Sequence, residues 1–328
     1  MVLLVFTLRF DMRAPGWAAP AADLYAAAID MCAWAETRGA LLAVLSEHHG
    51  ADDGHLPAPL TLASAIAART HTLAILLAAV PIPLWDPVRL AEEMSVLDLI
   101  SRGRVSYAFG VGHRSADYDH FGIGMATRGR VADEILAVLG PLVRGEPVGY
   151  RGRTVRVTPR CGSPDGPMML IAGGSKAAAR RAGSLGLGFV SQTDLPGLKE
   201  FYEEQCRAHG HEPGMIQFPV RGAPTAVFVA DDVDEAWDTL GPYLLHDAAM
   251  AASYRPHDDS VASITRADSV AALRAERGPY RIFTPDEATE YVRSGRPLPL
   301  HPLCGGVLPE AAWPYLERAA TAAARAHE

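Results

Sequence analysis

The chain has 328 residues, 49% of them hydrophobic and only 7% aromatic, and a formal charge of −8. Much of the apolar content is Ala, which suits closely packed helices around one sizeable core, and strand–helix barrels regularly exceed about 250 residues as a single domain. The spread of acidic residues leaves no basic stripe for nucleic acid, and no stretch is long and apolar enough to span a bilayer.

The four cysteines, Cys32, Cys161, Cys206 and Cys304, form no CxxC pair. Neither a disulfide framework nor a metal site is therefore expected from their spacing. The opening Met-Val-Leu-Leu-Val-Phe has no basic start and no small-residue cleavage site, and Arg9 and Asp11 cut it short. A cytoplasmic protein with reduced thiols is the expectation.

In chain order, Val2 to Phe10 predicts a strand, Ala21 to Arg38 a helix, and Leu41 to Leu45 a second strand. Pro59 to Arg69 predicts a helix with Pro near its start, where a missing N–H costs nothing. Thr72 to Val80 is a third predicted strand, Pro81 to Pro87 a rigid loop, Val88 to Ile100 a helix, Val105 to Val111 a fourth strand and Arg130 to Val143 a helix. Val148 to Pro159 resembles a hairpin inserted at 146–160. The alternation resumes with a strand at Met168 to Ala172, a helix at Ser175 to Leu185, a strand at Gly188 to Ser191, a helix at Leu195 to His209 and a strand at Pro219 to Val229. A helix around Val233 to Leu240 follows, then an irregular insertion or lid at 241–284, an eighth strand at Leu298 to Cys304 and a helical end. Eight strands alternating with helices, with no break in composition, predict an α/β chain folded as one (β/α)8 TIM barrel over residues 1–328.

Three loops carry the chemistry. Glu47-His48-His49 ends the second predicted strand, and in such folds chemistry sits at the strands' C-terminal mouth. Gly173-Gly174-Ser175-Lys176 joins a strand to a helix. Its glycines let the backbone approach an anion, Ser175 can cap the helix, and the helix start offers unpaired N–H groups to a phosphate. Gly110-Val111-Gly112-His113-Arg114 follows the fourth strand. Its glycines suit a planar ring lying on the backbone and Arg114 suits a phosphate, although the spacing is not that of a dinucleotide fingerprint. Trp85, His55 and Tyr118 lie in loops suited to line a substrate pocket.

The Glu47-His48-His49 strand end, Pro87-Val88-Arg89-Leu90-Ala91-Glu92-Glu93 running into Leu97-Asp98-Leu99-Ile100-Ser101-Arg102-Gly103-Arg104, and Gly173-Gly174-Ser175 with Ala182 and Leu185-Gly186 together resemble the bacterial luciferase-like monooxygenase family. The likeness runs from the first predicted strand to the helix after the sixth and resumes at Pro299 to Ala323. It implies a (β/α)8 barrel that binds reduced FMN, or a deazaflavin in some branches, and uses molecular oxygen on a small organic substrate. It also implies a homodimer supplied with reduced flavin by a separate reductase.

For single residues the resemblance implies that His48 acts in acid/base chemistry near the flavin, with Glu47 and His49 orienting it. Gly174, Ser175 and Lys176 would hold the flavin phosphate. Where luciferases carry an Arg just after the fourth strand, this chain offers Gly112 and His113, with Arg114 close by. Glu92, Glu93, Asp98, Ser101, Arg102 and Arg104 are read as structural. A deazaflavin-dependent hydride transferase and a non-catalytic barrel acting as a partner subunit are the alternatives.

Overall fold

A computed structural model describes residues 5–327. Residues 2–4 of the first predicted strand lie outside the described residues. In chain order the elements are β1 (Phe6–Phe10), α1 (Ala21–Glu36), β2 (Ala40–Leu45), α2 (Pro59–Arg69), β3 (Ala74–Pro81), α3 (Pro87–Ser101), β4 (Val105–Gly110), α4 (Ser115–His120), α5 (Arg128–Val143), β5 (Val148–Tyr150), β6 (Arg153–Val155) and β7 (Met169–Ala172). There follow α6 (Lys176–Ser184), β8 (Gly188–Val190), α7 (Leu198–Ala208), β9 (Ile216–Gln217), β10 (Ala226–Val229), α8 (Val233–Ser253), α9 (Val270–Glu276), β11 (Tyr280–Phe283), α10 (Pro285–Arg293), β12 (Leu298–Leu300) and α11 (Pro309–Ala324). Among the described residues no helix is long and apolar enough to cross a membrane.

Two compact units divide the chain. The first takes residues 5–57, 72–74 and 220–327, and the second takes Ala58–His71 and Ile75–Pro219.

In the first unit five parallel strands lie in the order β11-β10-β12-β1-β2. Parallel neighbours need long crossovers, usually helical: α1 supplies the one from β1 to β2, and α8 and α9 lie between β10 and β11. Phe6, Leu8 and Phe10 are fully buried while Thr7 and Arg9 are half-buried, the period of two expected of a strand. On α1, Leu24, Ala28, Met31, Cys32 and Ala35 are fully buried and fall on one stripe. Burying a Leu or Met of this kind contributes about 1.5–3 kcal/mol.

Helix α8 runs straight through Gly241-Pro242, where the sequence suggests a break. Two features carry it: the Asp232 carboxylate accepts from the N–H groups of Asp234 and Glu235 at its start, and Trp237, Leu240, Leu244 and Ala248 form a buried stripe. Pro242 falls on the exposed side, where its missing N–H removes a single helical bond. Gly241 is needed for packing, because a Cβ there would stand 2.4 Å from Val270 Cγ1 on α9. The segment read as irregular thus holds the second half of α8, all of α9 and β11, whose four residues are too few to show a period.

The second unit has five parallel strands in the order β3-β4-β7-β8-β9, and β5 and β6 form an antiparallel ribbon within 146–160. Ala108, Leu170 and Ala172 form a small-residue core with Ala78 and Ala79 packed on it. The charged helix block is tied down within this unit. Asp98 accepts from the N–H and hydroxyl of Ser163 at 2.9 and 2.8 Å, and Arg104 donates to Ser101 O, Thr70 Oγ1 and Ala67 O. The predicted strand 219–229 narrows to β10, since Pro219 and Pro224 have no N–H for a ladder. β12 ends at Leu300, short of the predicted Cys304.

Candidate active site

In the first unit the ends of β1 and β2 deliver a buried polar cluster. Met12 adopts a left-handed backbone, φ 60°, uncommon for a non-glycine residue, and Asp11 and Arg13 on either side of it are both buried. Arg13 Nε donates to Asp247 Oδ1 at 2.9 Å, and its Nη1 donates to Asp53 Oδ2 at 2.6 Å and to the Tyr254 hydroxyl at 3.3 Å. Asp53 Oδ2 also faces His246 Nε2 at 3.1 Å, and the Tyr280 hydroxyl donates to Asp247 Oδ2 at 2.7 Å. Asp11 lies 3.4 Å from Arg13 and 3.5 Å from His301 Nε2. The guanidinium is thus the hub of a buried network with three carboxylates.

Beyond β2 the three residues of Glu47-His48-His49 divide. His49 Nε2 and Glu47 Oε1 bond at 2.9 Å, both side chains buried. His48 is half-buried and packs edge-on against His55, ring centroids 4.8 Å apart, and against Tyr254, 5.0 Å apart. The His48 N–H donates to Leu56 O at 3.1 Å, which pins the loop back on itself. His55 is buried with its Nε2 3.4 Å from Ser46 Oγ. Burial and the positive charge of Arg13 hold His55 well below its ordinary value, so this ring is neutral. Burial alone would raise Asp11, but His301 and Arg13 outweigh it and keep the carboxyl well below its usual range.

In the second unit, Gly174 sits where no Cβ fits: one would stand 2.2 Å from Thr193 Cγ2. The Thr193 hydroxyl donates to Gly174 O at 3.0 Å and the Gly173 N–H to Val190 O at 3.0 Å. Ser175 caps α6, its Oγ accepting from the Ala178 N–H at 3.3 Å, and both Ser175 and Lys176 are exposed. The Lys176 ammonium stands 5.4 Å from the centre of the Phe201 ring. After β4, Gly110 would place a Cβ 3.4 Å from Ala79 Cβ, and Gly112, at φ 66°, would place one 3.3 Å from the Tyr118 ring. Tyr118 is buried, its hydroxyl donates to Val111 O at 2.5 Å, and burial first of all pushes it up to about 12. Arg114 pairs with Asp117 at 2.8 Å, His113 beside it is half-buried, and Trp85 is half-buried with its N–H on Ile82 O.

The structure therefore joins Glu47 to His49, and His48 to His55, within one unit, and Gly112 to Tyr118 within the other. Sequence reasoning missed Arg13, Asp53, Asp247, Tyr280 and His301. A signal existed at the end of β1, where Arg9, Asp11 and Arg13 alternate with apolar residues; the remaining members come from distant segments and share no motif.

Residues 3–290 match the family described as luciferase-like monooxygenase. Among curated proteins, the alkanal monooxygenase alpha chain of Photorhabdus luminescens is 25% identical over 181 residues, covering 51% of this chain and 49% of that one. The chain spans about half the length of the curated relatives it matches. Among solved structures, the monooxygenase RslO1 of Streptomyces bottropensis superposes with a TM-score of 0.77 at 22% identity, covering 99% of this chain and 100% of that one. The oxygenating constituent of 3,6-diketocamphane monooxygenase from Pseudomonas putida, solved in complex with FMN, gives 0.72 at 20% identity over 98% of each chain. The coenzyme F420-dependent tetrahydromethanopterin reductase of Methanopyrus kandleri gives 0.62 at 17% identity over 97% of each. These whole-chain likenesses show the TIM-barrel-like α/β fold, and the match over residues 3–290 shows that the chain belongs to the luciferase-like monooxygenase family.

Proposed function

We propose that the protein is a flavin-dependent monooxygenase that uses reduced FMN and molecular oxygen on a small organic substrate. The observation that carries this reading is the Gly173-Gly174-Ser175 turn. Thr193 leaves no room for a side chain at Gly174, and Ser175 stands exposed at the start of α6. The first N–H groups of a helix have no intrahelical acceptors and favour an anion, so a phosphate fits this turn. Gly173, Gly174, Ser175 and Lys176 are assigned to the FMN phosphate. Gly110, Gly112, His113 and Arg114 are assigned to the remainder of the cofactor.

Reduced FMN, when bound, supplies the electrons that activate oxygen. His48 is assigned to hold and move a proton at its ring nitrogens, a task suited to an imidazole. Neutral His55 and the ring of Tyr254 fix the His48 plane without placing a second positive charge beside it. The bonded Glu47–His49 pair holds the loop from which His48 projects. Trp85 and Tyr118, both of the second unit, are assigned to contact substrate. Tyr118 acts through its ring, because its hydroxyl is committed to Val111 O. A separate flavin reductase is part of the proposal, supported by the relative solved as the oxygenating constituent of its enzyme, and a homodimer is proposed with it.

Hydride transfer with a deazaflavin is the second reading, favoured by the likeness to the F420-dependent reductase. The test offers a panel of small organic substrates with FMN, a flavin reductase, NADH and 18O2. One labelled oxygen atom in a product upholds the monooxygenase reading. Reduction of substrate by a reduced deazaflavin without oxygen moves the assignment to hydride transfer, and no turnover with either cofactor leaves a partner subunit.

A further inference from the structure

We infer that Asp247, His301 and Cys304 form a site for one divalent cation of the zinc type. None of the three has a part in the proposed reaction. Each offers a ligand atom, and these atoms all lie within 4.8 Å of one another. Their side chains are 1%, 0% and 0% exposed. Carboxylate, imidazole and thiolate are the ligand types zinc takes, at bonds of about 2.0–2.3 Å, so the three atoms need close by only about 1 Å around an ion.

The surroundings meet the needs of such a site. Metal-bound carboxylates are themselves held by hydrogen bonds. Asp247 accepts from Arg13 Nε at 2.9 Å and from the Tyr280 hydroxyl at 2.7 Å. Neither ring nitrogen of buried His301 has a hydrogen-bond partner, Nε2 standing 3.5 Å from Asp11 Oδ1. An imidazole nitrogen is therefore available as a ligand atom. The turn that carries Cys304 is pressed onto α8: a Cβ on Gly305, at φ 63°, would stand 2.1 Å from Tyr243 O, one helical turn before Asp247. Glycine is required there, and its close approach sets Cys304 beside Asp247.

The thiolate is the form of Cys304 that binds such an ion, and one proton leaves to solvent as the S–metal bond forms.

The test uses the full chain, freed of metal by chelation, loaded with Zn2+ or Co2+ and desalted. The expected result is one retained ion per chain and, with Co2+, thiolate-to-cobalt charge-transfer absorption in the near ultraviolet. Cys304→Ser abolishes that band and weakens retention by at least about tenfold, whereas Cys32→Ser, altering another buried thiol of the same unit, keeps both. No retained ion in the wild type, or a band that survives Cys304→Ser, overturns the inference. If Cys304→Ser does not fold by circular dichroism, X-ray absorption of the zinc-loaded wild type decides: one sulfur with nitrogen and oxygen neighbours upholds the site, and a shell without sulfur overturns it.

Discussion

Nη1 of Arg13 lies 2.6 Å from Oδ2 of Asp53, and both side chains are buried. This contact ties the end of β1 to the loop that carries His48 and His55. The same guanidinium reaches Asp247 on α8, so one side chain fixes three segments that are distant in sequence.

Removing that hub leaves buried carboxylates without a partner. Arg13→Ala is expected to cost about 3–5 kcal/mol of stability, the usual penalty for breaking a buried ion pair from one side. Arg13→Lys keeps the charge but cannot serve Asp53 and Asp247 through two separate nitrogens, so it recovers only part of the loss. Urea unfolding of the three proteins measures both differences; an Arg13→Ala protein as stable as wild type would show that the network carries no stability.

His55 gives a pH dependence whose sign follows from its environment. Its folded value lies well below the ordinary 6.5, so below that pH the unfolded chain takes up a proton that the folded chain refuses. Its contribution to stability is present above 6.5 and is lost as pH falls, at up to about 1.4 kcal/mol per pH unit. His55→Gln should flatten the stability profile between pH 6.5 and 5 relative to wild type. Unfolding midpoints across that range check this, and parallel profiles would contradict it.

Gly174 and Thr193 are coupled by contact. Gly174→Ala places a methyl 2.2 Å from Thr193 Cγ2 and 2.8 Å from its Oγ1. The expected cost is about 1–3 kcal/mol, typical of overpacking. Thr193→Ala removes both atoms, so the double variant should be more stable than the sum of the single effects allows. A thermal-unfolding double-mutant cycle reads the coupling, and simple additivity would place the strain elsewhere.

His48→Asn tests the proton-handling role. Turnover should fall by about 10²–10⁴, while reduced FMN binding and the melting temperature stay near wild type. An equal loss of binding would assign His48 to holding the cofactor instead.

The sequence made the strand–helix alternation legible wherever a period persisted, as in β1 and α1. It also exposed both glycine turns, because Gly and Ser at a strand–helix junction are local signals. It hid β11, whose four residues are too short for a period, and the course of α8 through Pro242, which depends on a buried stripe continuing on the opposite face. The Arg13 network was hidden for another reason: Asp53, Asp247 and Tyr280 meet only through the tertiary fold. Glu47-His48-His49 was legible as a group, but the division into a bonded Glu47–His49 pair and a His48 packed on His55 and Tyr254 is a matter of side-chain direction.

The turn at Ser175 is proposed to receive the phosphate of FMN. The most direct test is an anaerobic equilibrium titration with reduced FMN, reduced riboflavin and a reduced deazaflavin, in wild type and in Ser175→Asp. Asp is as good a helix cap as Ser, so folding is preserved, but its charge repels a phosphate. Wild type is expected to prefer FMN to riboflavin and to the deazaflavin, and Ser175→Asp to lose the preference over riboflavin while its melting temperature holds. Equal binding of FMN and riboflavin by wild type, or FMN binding untouched by Ser175→Asp, would contradict it.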